Sequence, residues 1–350
     1  MPRMSVSDDD ASSALTQSAD HQPHAVCYRA RAAECEHRGH DGYDHVWGLP
    51  IILLARSSML IASCRVRPSV SMTRDVMRYT PATILVQEIA MALLDGKVAI
   101  ITGASKGIGR ALSLRFAQEN AAVICAARSA DLVRETADLV TKAGGRAIAV
   151  TCDAAKEDDV KRLIADGIKA FGRITTLINN AGDGGPTKPV QDYTMDDWLY
   201  TIHSCLTSSY VCTRFAVPEM IKAGGGAIVN ISSGAGRRGL PYRIGYCSAK
   251  AGQVGMAYGL ALELGPQGIR VNVVAPGAVE GDRIDRVIAG QAQVRGVSEE
   301  AMRRGMLERS PLKRMTTAGD IAEAALFLAS DLAKNVSGQV LAVNAGEPAG

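Results

Sequence analysis

Aromatic residues are scarce in this 350-residue sequence: Phe, Trp and Tyr make up 4% of it, whereas 47% of the residues are hydrophobic and 35 are glycine. Such a core is built from Ala, Val, Ile and Leu, and the glycines indicate many tight turns. The chain also lacks a strong charge, with a formal net charge of +3 and no dense basic stretch. These absences favour a soluble α/β protein and argue against a nucleic-acid partner.

Long hydrophobic runs and regularly spaced cysteines are also missing. The apolar run at 46–55 falls far short of the about 20 residues that a membrane span needs. The eight cysteines have no regular spacing, which is typical of reduced thiols and not of a disulfide framework; they stand at 27, 35, 64, 125, 152, 205, 212 and 247. We therefore predict a cytoplasmic protein with no membrane partner.

The first ninety residues lack lysine altogether, although they contain nine arginines and five of the six histidines. They show no sustained helical or strand period, whereas an orderly pattern begins after residue 95. We predict that 1–90 is an N-terminal extension, disordered or a misassigned start, with the native start near Met91. Residues 91–350 then have the length of a single domain.

A zinc site in this extension would need ligands at a recognised spacing. The four candidate ligands Cys27, Cys35, His37 and His40 match no structural zinc pattern. We predict no metal site.

Short apolar runs alternate with amphipathic stretches of helical length from residue 98 onwards. This alternation predicts right-handed βαβ units and a doubly wound parallel sheet of about seven strands, with helices on both faces. The predicted strands are 98–101, 122–126, 147–151, 174–178, 227–231, 269–274 and 339–343. In such sheets ligands bind beyond the carboxyl ends of the strands.

The first strand runs into a glycine-rich turn, Thr102 to Gly109, and then into a helix. Glycine lets the main chain approach a pyrophosphate closely, and the helix N-terminus offers free N–H groups to that anion. The spacing is Gly-x3-Gly-x-Gly and not the Gly-x-Gly-x-x-Gly of the usual dinucleotide fingerprint. A Walker loop is excluded because no Gly-Lys-Ser/Thr ends the segment. A glycine turn without a ligand is the alternative, and the surrounding βαβ pattern argues against it.

The second strand ends at Cys125-Ala126-Ala127-Arg128, without the acidic residue that would hold a ribose 2′-hydroxyl. Lys106, in the glycine turn, adds a second cation. Two cations and no carboxylate favour NADP(H), with NAD(H) as the alternative cofactor. The competing interpretation is that both side chains are solvated surface charges.

Together these features resemble the short-chain dehydrogenase/reductase family, specifically its single-domain group with the 3-oxoacyl carrier-protein reductases. The resemblance covers about 95–346, and it implies that residues 91–350 form a single Rossmann-fold catalytic domain. It rests on the order and spacing of Thr102–Gly109, Asp153, Asn179-Asn180-Ala181-Gly182, Ser233, Tyr246-x3-Lys250 and Pro276-Gly277. It implies an oxidoreductase that transfers a hydride between NADP(H) and a ketone or secondary alcohol, with Ser233, Tyr246 and Lys250 as catalytic residues.

The residue chemistry agrees with these roles. Tyr246 and Lys250 lie four apart on one helix face, so the ammonium stabilises a phenolate that can exchange a proton with a substrate oxygen. Ser233 would hydrogen-bond that oxygen. Alone, a Tyr-x3-Lys pair is more often an ordinary surface pair.

The resemblance also implies a set of cofactor-binding residues. Asn180 and Gly182 are expected on the adenosine side, Asp153 at the adenine, and Pro276 and Gly277 at the nicotinamide. The two asparagines Asn179 and Asn180 could instead tie loops together. The full set is Gly103, Ser105, Lys106, Gly107, Ile108, Gly109, Arg128, Asp153, Asn180, Gly182, Tyr246, Lys250, Pro276 and Gly277.

Two positions depart from the family pattern. Cys205 stands where the family usually has an asparagine that holds a water in a proton relay through the lysine, and a thiol is a poor substitute. Gly281 stands where a threonine often contacts the nicotinamide amide.

The segment 280–314 is expected to cover the substrate cleft, and it carries eight basic against six acidic residues. Arg237, Arg238 and Arg243 lie between Ser233 and Tyr246. A positive rim of this kind would suit an anionic small-molecule substrate; a solvated helix with internal ion pairs is the simpler interpretation.

The sequence leaves three functional alternatives open. The first is an active reductase or dehydrogenase, and the second is an epimerase or dehydratase of the extended branch, which needs a larger C-terminal domain. The third is a nucleotide-binding protein with impaired or lost turnover and a regulatory or scaffold role, which Cys205 favours. The long helix 195–222 and the helix from 246 are the family's usual subunit contacts, so a homodimer or homotetramer is expected.

Overall fold

The computed structural model describes residues 51–55, 58–62 and 92–348 of the chain. The chain divides into two units, Met1–Leu85 and Val86–Gly350. In the first unit, strands β1 (Ile51–Ala55) and β2 (Ser58–Ala62) pair antiparallel. The rest of the predicted extension, with Cys27, Cys35, His37 and His40, lies outside the described residues, so its expected disorder stays a prediction.

The second unit is built on a seven-stranded sheet in which every neighbouring pair is parallel. The strand order is β5-β4-β3-β6-β7-β8-β9. The strands are β3 (Val98–Thr102), β4 (Ala122–Ala127), β5 (Arg146–Thr151), β6 (Thr176–Asn179), β7 (Gly226–Ile231), β8 (Ile269–Pro276) and β9 (Val340–Val343). The predicted doubly wound sheet is confirmed.

Helices cover both faces of this sheet, and each face has its own hydrophobic core. Successive strand residues point to opposite faces, so Ile101 packs with α1, α2 and α10, whereas Ile100 packs with α3, α5 and α7. The helices are α1 (Gly107–Gln118), α2 (Ala130–Lys142), α3 (Glu157–Phe171), α4 (Met195–Ile202), α5 (Ser208–Lys222), α6 (Ala235–Arg238), α7 (Ile244–Leu264), α8 (Asp282–Arg295), α9 (Glu299–Arg309) and α10 (Ala318–Ala329). Within the described residues no helix is long and apolar enough to cross a membrane.

The helix predicted at 195–222 is continuous but not regular. A single π turn, His203–Thr207, joins α4 to α5, and the buried Cys205 lies within it. π turns widen a helix by one residue and occur frequently at functional sites.

The sheet reverses its winding between β3 and β6. From β3 the chain continues outward to β4 and β5, and β6 then starts the other half on the opposite side of β3. The carboxyl ends of these two strands therefore border the crevice in which doubly wound sheets bind their ligands.

Candidate active site

The glycine turn after β3 has the geometry that a phosphate site requires. Gly103 and Gly107 have φ angles of +66° and +54°, which favour glycine. At Gly109 a Cβ would lie 2.1 Å from the Gly103 carbonyl oxygen, so no side chain fits there. Helix α1 begins here without a side-chain cap or an acidic residue in its first turn, which leaves its N–H groups free for an anion. The turn therefore fits the pyrophosphate of a dinucleotide.

The predicted asparagines hold this turn against β6. The Asn180 side-chain amide donates to the Thr102 carbonyl at 2.9 Å, and the Thr102 hydroxyl accepts the backbone N–H of Asn180 at 3.0 Å. Asn179 is buried and donates to Asn230 on β7 at 2.9 Å and to Thr213 on α5 at 3.1 Å. Both residues thus have the loop-tying role that the sequence left open.

The residues predicted to select the cofactor lie around the same crevice. Arg128 directly follows β4 and is exposed. Lys106 is exposed and lies 3.8 Å from Asp282 at the start of α8. Asp153 follows β5 and Cys152, and its carboxylate accepts the backbone N–H of Ala155 at 3.1 Å.

Tyr246 and Lys250 lie on the first two turns of α7, with the Lys250 Nζ 5.8 Å from the centre of the Tyr246 ring. The tyrosine is half-buried, whereas the lysine is only 3% exposed. Lys250 donates to the Ile231 carbonyl at 2.7 Å, at the carboxyl end of β7. The predicted catalytic pair is therefore on the same edge of the sheet as the glycine turn.

Ser233, Pro276 and Gly277 follow neighbouring strands at this edge. Ser233 comes two residues after β7, and its hydroxyl accepts the backbone N–H of Ala235 at 3.2 Å. Pro276 ends β8, and its carbonyl accepts the N–H of Gly234 at 2.8 Å, which links the serine loop to β8. The structure thus brings the predicted catalytic and cofactor-binding residues to one crevice.

Sequence reasoning did not single out Gln253, which contacts Lys250. The fully buried Gln253 accepts from the Lys250 Nζ at 3.0 Å, and its amide nitrogen donates to the Cys205 carbonyl at 3.0 Å and to the Ser209 hydroxyl at 2.6 Å. The Cys205 thiol instead donates to the Asp183 carbonyl at 2.9 Å. The signal was available, because Gln253 is one helical turn from Lys250 on the same face of α7.

Arg243 was assigned to an exposed positive rim, and the structure corrects this. Its side chain is only 4% exposed, although Arg237 and Arg238 are exposed as expected. The guanidinium carbon lies 5.1 Å from the centre of the Tyr246 ring. Arg243 is therefore part of the interior of the site.

No group of three or more His, Cys, Asp or Glu side chains in the described residues is arranged to hold a metal ion. The five described cysteines are free: Cys125, Cys152, Cys205, Cys212 and Cys247.

Comparisons with known proteins identify the family of the chain. A family model described as Enoyl-(Acyl carrier protein) reductase matches residues 103–347. The 7α-hydroxysteroid dehydrogenase of Escherichia coli (strain K12) is 37% identical over 253 residues, which cover 72% of this chain and 94% of that protein. The 3-oxoacyl-acyl-carrier-protein reductase FabG of Thermotoga maritima is 36% identical over 257 residues, covering 72% and 98% of the two chains.

A solved structure shows the same fold. A 7α-hydroxysteroid dehydrogenase complexed with NADH and 7-oxo glycochenodeoxycholic acid matches with a TM-score of 0.68 and 36% identity, covering 74% of this chain and 97% of that one. The chain belongs to the short-chain dehydrogenase/reductase family. It is an NAD(P)-dependent oxidoreductase acting on CH–OH/C=O groups.

Proposed function

We propose that the protein transfers a hydride between NADP(H) and a ketone or secondary alcohol, with Ser233, Tyr246 and Lys250 as its catalytic residues. The observation that carries this proposal is the placement of the Tyr246–Lys250 pair at the carboxyl edge of the sheet, beside the glycine turn. A buried ammonium next to a half-buried phenol is the arrangement that acid–base chemistry on an oxygen requires.

Each catalytic side chain has a separate task. When bound in this crevice, a nicotinamide cofactor would be the source of the hydride in reduction and its acceptor in oxidation. The Tyr246 hydroxyl gives its proton to the substrate oxygen in reduction and takes it back in oxidation. Ser233 hydrogen-bonds the same oxygen and stabilises its developing charge, while the Lys250 ammonium stabilises the phenolate.

The cofactor would lie along the crevice. Residues 103–109 would hold its pyrophosphate, Asp153, Asn180 and Gly182 its adenosine side, and Pro276 and Gly277 its nicotinamide end. Exposed Arg128 after β4, with no acid at that position, supports NADP(H) over NAD(H). Lys106 is a weaker support because it pairs with Asp282.

Two further properties belong to this proposal. Large apolar side chains are exposed on α4, α5 and α7, which supports a homodimer or homotetramer through these helices; they include Leu199, Tyr210, Tyr258 and Leu262.

Free cysteines throughout the described residues support a cytoplasmic location.

Oxidation of NADPH and NADH by the full-length protein, with a panel of ketones, diketones and 3-oxoacyl thioesters, tests the proposal. We expect turnover with NADPH to exceed turnover with NADH. NADPH binding without turnover of any ketone, or of any alcohol in the reverse direction, would favour the nucleotide-binding alternative without catalysis.

A further inference from the structure

Arg243 is a buried cation for which the described residues provide no counter-ion. Its Nη2 donates to the Gly184 carbonyl at 2.9 Å and its Nη1 to the Thr187 hydroxyl at 3.4 Å, both of which are neutral acceptors. The Nε–H has no hydrogen-bond partner among the described residues. Buried charges are normally paired, and a buried N–H without an acceptor costs free energy.

The surroundings of Arg243 make this cost larger. The titratable groups that influence its pKa include Arg283, Tyr246, Tyr193 and Cys247, none of which is a carboxylate. Burial lowers the pKa of the Arg243 guanidinium, with Arg283 acting in the same direction. The guanidinium charge, which no described residue neutralises, would therefore stabilise an anion bound here.

The position of this cation connects it to the reacting centre. Arg243 lies three residues before Tyr246 and packs against its ring. On its other side Thr187 lies under α8, because a Cβ at Gly290 of α8 would be 3.0 Å from the Thr187 hydroxyl. Gln291 of the same helix donates to the Pro241 carbonyl at 2.8 Å. The guanidinium is therefore enclosed between the catalytic helix and the segment that covers the cleft.

From these contacts we propose that Arg243 binds a carboxylate of the substrate, so that the substrate class is oxo acids and the corresponding hydroxy acids. The planar guanidinium matches a planar carboxylate. A carboxylate would supply the acceptor that the buried Nε–H lacks among the described residues. This inference rests on the proposed function and specifies that the substrate carries a negative charge.

The experiment compares oxo acids with their methyl esters, as matched pairs, in the full-length protein with NADPH. We expect kcat/KM for the acid to exceed that for the ester by about tenfold to hundredfold, the range of a charge-assisted hydrogen bond. Arg243→Met removes the charge but keeps an apolar stem, and it should reduce this ratio to about one. Arg237→Met, an exposed arginine on the same segment, is the matched control and should keep the ratio of the unaltered protein.

Arg243→Lys is a second variant in case Arg243→Met does not fold, and it should keep part of the preference because the charge remains. Calorimetric binding of the oxo acid to the cofactor-loaded protein gives a readout that does not depend on turnover. Equal kcat/KM for acids and esters, or the same ratio in Arg243→Met as in Arg237→Met, would overturn the carboxylate site and leave the oxidoreductase intact. Arg243-dependent binding of oxo acids without any turnover would instead overturn the proposed function and support the carboxylate site.

Discussion

Arg128 is the first residue after β4, and its exposed side chain is near the edge of the sheet where the adenosine ribose is expected. A guanidinium can pair with a 2′-phosphate, whereas a carboxylate at this position would accept a ribose hydroxyl and repel the phosphate. We therefore propose that this side chain influences cofactor preference more than any other residue of the crevice.

Arg128→Asp should shift the ratio of kcat/KM for NADPH to that for NADH towards NADH by about tenfold or more. Steady-state kinetics with both cofactors measures the ratio. Arg134→Asp is the control for a general loss of positive charge, because Arg134 is exposed and lies on α2, the helix that follows Arg128 in the chain. A ratio unchanged from that of the unaltered protein would refute the 2′-phosphate role of Arg128.

The location of some site residues could be predicted from the sequence, whereas the burial of others could not. Tyr246, Lys250 and Ser233 could be predicted because their spacing is local and their order is fixed by the strands they follow. The buried states of Arg243 and Gln253 could not, because they depend on how the 184–187 loop and α8 pack over α7. Hydrophobicity alone predicts solvent exposure for both side chains.

At the scale of the element, the π turn and α7 act together. In a regular helix each carbonyl is used within the helix, but the Cys205 carbonyl accepts hydrogen bonds from the side chains of Gln253 and Ser209. Gln253 also accepts from Lys250, so its amide connects this lysine to the widened turn. The amide that the family pattern places at 205 is absent, and an amide from α7 occupies the neighbourhood of Lys250 instead.

Gln253→Met keeps the size of this side chain and removes its polar contacts. We expect kcat to fall by about tenfold to hundredfold and its pH profile to change, because Lys250 loses one of its two acceptors. Ser209→Ala, which removes one partner of the amide, should have a smaller effect in the same direction, and Ser208→Ala on the same helix should have none. A kcat and a pH profile that Gln253→Met leaves unchanged would contradict a positioning role for Gln253.

The helix and strand pattern was predictable from hydrophobic periodicity in almost every element, since buried parallel strands are nearly continuous apolar runs. The π turn was not, because nothing in a helical period marks the insertion of one residue. The short helix α6 was also missed, since four residues are too few to show a period.

At the level of the whole chain, the described residues of the two cores that cover the sheet, and those of the crevice, belong to the second unit, from Leu94 onwards. We propose that this unit is a single catalytic domain that does not need the extension 1–90. The chain started at Met91 should therefore fold and have the same kcat/KM as the full-length protein within about twofold. Thermal unfolding and kinetics on the two proteins measure this, and an insoluble or inactive shorter protein would show that the extension is required.

Turnover by the Tyr246→Phe variant tests directly whether Tyr246 exchanges a proton with the substrate oxygen. Steady-state kinetics with a substrate from the ketone panel should show a loss of kcat of at least about a hundredfold. NADPH binding, measured by fluorescence, should stay within about threefold of the unaltered protein, because the phenol oxygen is a small part of the cofactor site. Tyr258→Phe, an exposed position on the same helix, is the control and should keep full activity. Near-normal turnover by Tyr246→Phe would contradict the role of Tyr246 as the residue that exchanges a proton with the substrate.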